Sequence, residues 1–495
     1  MTNPVIEQYT TGKPIVDGTF GHLTAEQTTQ LKELWRKLFD TFSRAAADVA
    51  SAPLPDAIKK AETTSGAAGG EKALHQRVLE GEQRSSSAPP GELELKKPHH
   101  HRHSRNGSGS GSDSNGGSSR SQRRAASPAP STSSGSSGWF GWGGSKQPAE
   151  APEYRQLVED VADEASLAPD FEGAAAPTAQ SIRAAFWTAV LCDHPDVLLL
   201  RFLRARKWHV DDALAMLLAC LRWRIDEQLD RVVWEGEGPI NLAVLRRGVG
   251  AVHKTDRIGQ PVLHIPVRLN DPKAQPSEHM VAYTVYLMEV ARVVLHPPAE
   301  KVCLLFDTTD MSLANMDWTF FRTFLHYLEH YYPECLGLVL IYNASWVFNG
   351  LWKLIRPLLD PVVAAKVHFL ASRDEITAFI APEHLPREFG GADAFTYAYP
   401  MPVPGENDAM RDAAGRQAAA ARRQAACDAL EAATRTWVGR TDTGDGDDAA
   451  DEARRSAADE LVAASRALDR FVRARTLYHR LGVIGDDLTV DWNRS

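Results

Sequence analysis

The side chains with the clearest chemical potential are four cations in one short stretch: Arg201, Arg204, Arg206 and Lys207. No acid lies between Asp196 and Asp211 to neutralise them. Such a cluster is most often a solvated basic face, but beside an apolar run it can also form a site for an anion. The formal net charge of the chain is −9, which gives no indication of binding to nucleic acid. The sequence therefore leaves two interpretations, a local anion site and a solvated face.

No arrangement typical of an enzyme accompanies this cluster. The sequence has neither a glycine-rich phosphate loop nor a glycine fingerprint for a dinucleotide after a strand. The stretch Asp307-Thr308-Thr309-Asp310 is similar to the acidic loop of phosphoryl-transfer hydrolases, but its acids are three positions apart instead of two. The five cysteines never form a C-x-x-C pair, which predicts free thiols in a reduced, intracellular protein. We predict no catalysis, no cofactor and no metal.

Apolar runs separated by helical patterns indicate which elements would position an anion site. Residues 302–306 and 337–342 are short apolar runs that flank an amphipathic pattern. Buried parallel strands joined by a crossover helix have this appearance. Residues 250–265 have the pattern of a β-hairpin, and residues 362–370 lead into another strand. The pattern predicts an α/β protein.

A helix predicted at residues 346–359 is apolar over an unusually wide arc. Its polar stripe is narrow and consists of Asn349, Lys353 and Arg356. Pro357 and Pro361 bracket its end. Its apolar positions are Phe348, Leu351, Trp352, Ile355, Leu358 and Leu359.

Composition divides the chain into five segments. Thr24 and Gln27 form a predicted capping box for an apolar helix that must dock on a later part of the chain. A long stretch rich in Ser, Gly, Pro and charge is predicted to be a disordered insertion. The segments are the docking helix (20–45), the insertion (50–150), a helical N-terminal lobe (151–235), the principal α/β lobe (240–400) and a helical tail with an acidic linker (405–495).

Two motifs within the insertion have functional interpretations. Residues 99–103 contain four histidines, but no second set of metal ligands accompanies them, which favours a solvated tract. Residues 123–128 have the pattern of a basophilic kinase site with Ser127 as acceptor. Short motifs of that kind recur by chance in segments rich in Arg and Ser, so the sequence does not decide whether Ser127 is phosphorylated.

Four motifs follow one another between residues 180 and 400: LLRFLRARKW at 199–208, YYPE at 331–334, PLLDP at 357–361 and LPREFGG at 385–391. Their types and order resemble the CRAL-TRIO lipid-binding proteins, within them most closely the phosphatidylinositol transfer proteins of fungi. The resemblance implies a small helical N-terminal lobe and an α/β lobe whose mixed sheet floors a deep apolar lipid pocket. A gating helix covers that pocket in the family, and residues 346–359 fall at its position.

The resemblance also implies a headgroup site. In the family, an Arg of the R-A-R-K motif, the Glu of Y-Y-P-E and a Lys after L-D-P hold phosphatidylinositol. The corresponding residues here are Arg206, Glu334 and Lys366. Two cations would face the phosphate diester, and the carboxylate would accept hydrogen bonds from inositol hydroxyls. An ordinary salt-bridge network is the alternative for these three side chains.

Family members that exchange phosphatidylinositol for phosphatidylcholine hold choline with four hydroxyl-bearing residues. The corresponding positions here are Val252, Leu263, Val302 and Leu304, all aliphatic. The resemblance therefore implies phosphatidylinositol binding without phosphatidylcholine binding, with a sterol-like or isoprenoid second lipid. A slip of one residue in the alignment would turn these side chains to the opposite face of the sheet.

The partners implied are phosphatidylinositol, a second hydrophobic lipid and, transiently, a membrane surface. We expect a cytoplasmic monomer that associates with endomembranes, because the apolar runs are shorter than the roughly 18 residues of a transmembrane helix and residues 1–9 lack a secretory pattern. Two other functions stay open: a carrier of a sterol precursor or terpenoid, and a lipid sensor that acts as a regulatory scaffold. The sequence identifies neither the membranes served nor the role of the C-terminal helices.

Overall fold

The computed structural model describes residues 4–11, 17–43, 179–295, 299–440 and 447–494. The predicted insertion, with its histidines and Ser127, lies outside the described residues. So do residues 151–178, the first part of the predicted helical lobe.

The centre of the molecule is a sheet of five strands whose order in space equals their order in the chain. The first two strands are antiparallel and the others are parallel, which confirms the predicted α/β fold with a mixed sheet. The strands are β1 Ala251–Thr255, β2 Pro261–Pro266, β3 Val302–Asp307, β4 Leu336–Tyr342 and β5 Val367–Leu370.

Both faces of the parallel strands are covered, which is why their sequences are continuously apolar. Leu305 and Leu340 lie in one hydrophobic layer, together with Phe379. Leu304 and Val339 point to the other face and lie in a separate layer. The second layer is the one relevant to lipid binding, because the helix predicted to be a gate packs on it.

The helices vary from four to 27 residues in length. In chain order they are α1 Pro4–Thr11, α2 Ala25–Ser43, α3 Ala179–Val190, α4 Pro195–Ala205, α5 Val210–Asp226, α6 Leu229–Glu235, α7 Leu242–Arg247, α8 Ser277–Val294, α9 Trp318–His330, α10 Trp346–Ile355, α11 Pro361–Ala365, α12 Arg373–Thr377, α13 Asp408–Arg411, α14 Ala413–Gly439, α15 Asp447–Asp469 and α16 Leu477–Arg480. No helix in the described ranges is both long and apolar enough to span a bilayer.

Helix α2 begins at the capping box that the sequence indicates. The backbone N–H of Thr24 donates to Oε1 of Gln27 at 2.9 Å, and the N–H of Gln27 donates to Oγ1 of Thr24 at 3.2 Å. Its apolar face is buried: Trp35 and Leu38 are fully enclosed among side chains of α3, α4 and α5. The helix thus docks on a later part of the chain.

The C-terminal helices belong to the same core. Leu430 and Trp437 of α14 and Leu461 of α15 join the hydrophobic cluster that contains Trp35. A buried ion pair fixes this arrangement: Nη2 and Nη1 of Arg454 lie 2.5 and 2.7 Å from the carboxylate oxygens of Asp196. The role that the sequence left open is therefore structural, since α14 and α15 complete the helical lobe.

The last part of the chain closes the edge of the sheet. The backbone N–H of Val252 in edge strand β1 donates to the hydroxyl of Tyr478 at 2.8 Å. Buried Glu237 accepts from the N–H of Leu477 at 2.6 Å and pairs with Arg480. Covering an edge strand removes a template for pairing between molecules.

Helix α10 ends earlier than predicted. The α-helix stops at Ile355, and a 3-10 turn, Arg356–Leu358, follows, so the predicted end at Leu359 is wrong. Pro357 explains the change, because proline has no N–H to donate and its ring clashes with the carbonyl group four residues earlier. Leu358 and Leu359 lie beyond the α-helix.

Candidate functional site

Arg206, Glu334 and Lys366 line one pocket of about 330 Å³. They lie at least 32 positions apart in the sequence, and only the fold brings them together. Leu336 and Leu359 supply part of its apolar lining. The pocket combines basic side chains with an apolar wall.

Two edges of this pocket have an unusual backbone conformation. Arg206 caps the C-terminus of α4, and the next two residues, Lys207 and Trp208, have φ of +50° and +66°. Glu334, two residues before β4, has φ of +56°. Non-glycine residues in this region cost on the order of 1 kcal/mol or more each and cluster at functional sites. The guanidinium of Arg204, in the last turn of α4, donates to the carbonyl oxygen of Gly18 at 2.8 Å and helps to fix the first of these two edges.

Lys366 is a buried cation without an anionic partner. The residue is 8% exposed, and its Nζ donates to the carbonyl oxygen of Leu336 at 2.8 Å. Within the part of the chain that the structure describes, no carboxylate pairs with it, and Arg206 forms no ion pair either. A buried charge with only a neutral partner is costly, so this pocket is suited to accept an anion.

The basic cluster in the sequence divides into two pairs. Arg204 pairs with Glu300 at 2.7 Å, and Arg201 donates to the carbonyl oxygen of Glu300 at 3.0 Å. Arg206 and Lys207 line the pocket and have no acidic partner among the described residues. Arg201 and Arg204 are therefore tied to Glu300, whereas Arg206 and Lys207 are not, and the choice between an anion site and a solvated face stays a prediction.

Lys301 lies beside the site and was not predicted from the sequence. Its Nζ lies 3.8 Å from Oε2 of Glu334. Burial and the neighbouring charge of Lys366 lower the pKa of Lys301. The strand positions contained a signal: Lys301 directly precedes β3 and Lys366 directly precedes β5. These two parallel strands flank β4, so their amino ends lie at the same edge of the sheet.

The four aliphatic positions lie on one face of the sheet. Val252 pairs with Leu263, and Leu263 pairs with Leu304, in the register of β1, β2 and β3. Val302 precedes Leu304 by two residues and therefore points to the same face. Leu263, Val302 and Leu304 belong to the layer under α10, whereas Val252 lies in the neighbouring cluster under α8.

Helix α9 leaves apolar surface accessible above this layer. Of its 13 residues only Tyr327 and His330 are buried, although its apolar side chains pack toward the layer. Trp318, Phe321 and Phe324 are only partly buried. Partly exposed aromatic side chains beside a pocket are typical of the wall of a ligand site.

Comparison with known proteins identifies the fold family. Residues 245–391 match the CRAL/TRIO domain, and residues 154–219 match the CRAL/TRIO N-terminal domain. The CRAL-TRIO domain-containing protein C3H8.02 of Schizosaccharomyces pombe is 36% identical over 311 residues, which cover 62% of this chain and 69% of that protein. The chain belongs to the CRAL-TRIO family. This membership confirms the resemblance found in the sequence.

Other CRAL-TRIO relatives carry functional names. The phosphatidylinositol transfer protein CSR1 of Eremothecium gossypii is 32% identical over 339 residues, covering 66% of this chain and 76% of that protein. The Sec14 cytosolic factor of Schizosaccharomyces pombe is 28% identical over 212 residues, covering 40% and 74%. The crystal structure of Sfh5 aligns with a TM-score of 0.32 at 19% identity over 36% of this chain and 66% of that one, a likeness too low to bear on function.

In this CRAL-TRIO lobe, α10 has a buried side and an exposed side. Phe348, Leu351 and Ile355 are buried against the sheet, and Trp352 is partly buried. Trp346 at its amino end is 65% exposed.

No group of three or more His, Cys, Asp or Glu in the described ranges could hold a metal ion.

Proposed function

We propose that this CRAL-TRIO protein binds phosphatidylinositol and moves or presents it between membranes. The phosphate diester would lie on Arg206 and Lys366, and the inositol hydroxyls would donate to Glu334. The observation that carries this proposal is that the buried Nζ of Lys366, in the same pocket as Arg206, forms no ion pair with a carboxylate of the described residues. One relative, CSR1 of Eremothecium gossypii, is a phosphatidylinositol transfer protein by name, which supports the same ligand.

The apolar layer supports a ligand with long chains. Extracting a two-chain lipid from a bilayer removes on the order of 30 methylenes from hydrocarbon, roughly 24 kcal/mol at about 0.8 kcal/mol each. Only an apolar enclosure can offset that cost. The layer under α9 and α10 lies next to the headgroup pocket, since Leu336, Leu359 and Val363 contribute to both.

Binding and release, not catalysis, would be the activity. The carboxylate of Asp307, in the acidic loop that could suggest phosphoryl transfer, accepts from the backbone N–H of Thr309 at 2.9 Å and so serves the turn after β3. Opening of α10 at a membrane surface would control access to the lipid. Turnover of a phosphoester or nicotinamide substrate by the purified protein would contradict this part of the proposal.

Loading from vesicles that contain equal amounts of phosphatidylinositol and phosphatidylcholine is expected to yield phosphatidylinositol only. Val252, Leu263, Val302 and Leu304 offer no hydroxyl to a choline headgroup, and a buried polar group without a partner costs about 1–3 kcal/mol. Lipid extraction and mass spectrometry of the re-isolated protein measure the ratio. Comparable recovery of phosphatidylcholine would overturn this selectivity.

Trp346→Ala is expected to weaken association with anionic vesicles by about tenfold, because an interfacial aromatic side chain contributes about 1.5 kcal/mol or more when it leaves water. Since Trp346 is 65% exposed, the thermal unfolding midpoint should not change. Vesicle co-sedimentation measures the effect. Val403→Ala is the control, as Val403 is 57% exposed but lies outside α10 and the headgroup pocket. Equal loss in both variants would show that α10 is not the contact.

A further inference from the structure

A second cavity, of about 380 Å³, lies on the other side of Glu300 from the headgroup pocket. Arg204 lines the headgroup pocket and pairs with the Glu300 carboxylate, whereas Arg201 lines the second cavity and holds the Glu300 carbonyl oxygen. The walls of the cavity come from the end of α3 and the segment that joins it to α4, and from α4, α8 and α15. Ligand pockets commonly have volumes of about 300–1,000 Å³, so the cavity is large enough for a small molecule.

The charged side chains of this cavity are Arg201, Arg292, Arg455 and Arg466, with Asp193 and Asp459. The lining itself therefore holds four arginines and two carboxylates. Two of the arginines have acidic partners outside the lining: Arg292 pairs with Glu289 at 2.8 Å and Arg455 with Glu452 at 3.1 Å.

Arg201 and Arg466 retain unused hydrogen-bond donors. Arg201 is 8% exposed and donates only to neutral acceptors, the carbonyl oxygen of Glu300 and Sγ of Cys335. Arg466 forms no ion pair with any residue in the described ranges. The Nε atoms of both are buried without a hydrogen-bond partner. Buried donors are almost always satisfied in native proteins, so these two indicate an acceptor that belongs in the cavity.

The remaining wall is apolar. Val197 and Leu198 of α4 lie on one side, Ala458 and Val462 of α15 on the other, and Phe20 also lines the cavity. A bare inorganic anion would leave this apolar surface uncovered. A ligand with an anionic head and a hydrocarbon chain would satisfy both parts of the wall.

We propose that this cavity binds a single-chain anionic amphiphile, with its carboxylate or phosphate monoester on Arg201 and Arg466 and its chain between α4 and α15. Such a ligand would bridge the N-terminal helices and the C-terminal helix pair. It would also contact, through Arg201 and Glu300, the wall shared with the headgroup pocket. The proposal does not depend on which lipid the headgroup pocket holds.

Calorimetric titration of the full-length protein with laurate and with dodecyl phosphate tests the proposal. The first probe represents a free fatty acid and the second a phosphate monoester. The probe that binds more tightly identifies the anionic group of the ligand. Arg466→Gln should weaken binding by about tenfold or more, since it removes a charge-assisted contact. Val462→Glu should abolish binding through the apolar wall. Arg470→Gln, one turn farther along and outside the cavity, should bind like the wild type.

Three comparisons separate this site from the headgroup pocket. Arg206→Ala should leave binding of both probes unchanged. The proposal for this cavity and the proposal for phosphatidylinositol binding can therefore fail separately. Inorganic phosphate and the neutral dodecyl maltoside should each bind at least about tenfold more weakly than dodecyl phosphate. Equal affinity in Arg466→Gln and the wild type, or equal affinity for either control ligand, would overturn the proposal.

Discussion

Arg206→Ala and Lys366→Ala are each expected to abolish measurable transfer of phosphatidylinositol between vesicles. Losing one charge-assisted contact costs about 1.5–3 kcal/mol, which is a factor of roughly 10 to 150 in affinity. Neither side chain forms an ion pair in the described part of the chain, so the fold does not depend on them for charge neutralisation. A transfer assay with fluorescent phosphatidylinositol measures the loss.

Lys273→Ala is the matched control for the charge change. Lys273 is exposed in the loop before α8 and lies outside the headgroup pocket, so transfer should proceed at the wild-type rate. Thermal melts of all three variants should agree within a few degrees. Wild-type transfer by both Arg206→Ala and Lys366→Ala would rule out the proposed headgroup site.

Arg454→Ala is expected to lower the free energy of unfolding by about 3–5 kcal/mol, the cost of leaving a buried carboxylate without its partner. Asp196 is buried and would keep only Trp35 Nε1, which donates to Oδ1 at 2.7 Å. Nδ1 of the neighbouring His194 accepts from the backbone N–H of Asp196 and so donates no proton to the carboxylate. Urea unfolding measures the change. The adjacent Arg455→Ala should cost less than about 1 kcal/mol, because its pair with Glu452 is exposed.

The same ion pair predicts acid sensitivity. Burial alone would raise the pKa of Asp196, but the charge of Arg454 outweighs it and lowers the pKa to about 2. The pKa in the unfolded chain is about 3.9, so the pair stabilises the fold above that pH and loses its contribution as the pH falls toward 2. Unfolding free energies measured between pH 5 and 2 should fall less steeply in Arg454→Ala. Parallel curves for the variant and the wild type would contradict the assignment.

The local patterns in the sequence predicted the sheet and the helices well. The continuous apolar runs predicted β3 and β4, because both faces of these strands are buried. The capping box predicted the start of α2. The end of α10 was missed, although Pro357 was visible, because a proline near a helix end can either follow the last turn or terminate it.

The site was only partly accessible from the sequence. The family resemblance supplied Arg206, Glu334 and Lys366, and the structure brings these three into one pocket. Lys301 could have been found from strand ends once a parallel sheet was assumed. The Asp196–Arg454 pair joins residues 258 positions apart, and no periodicity or spacing indicates such a partner. Charge neutralisation over that separation is a property of the tertiary structure alone.

Native mass spectrometry of the full-length protein, loaded from vesicles containing phosphatidylinositol and a sterol, shows which of the two lipids the protein carries. We expect one phosphatidylinositol per chain in the wild type and its loss in Arg206→Ala. A folded wild-type chain that carries the sterol but no phosphatidylinositol, with the same spectrum for Arg206→Ala, would contradict it.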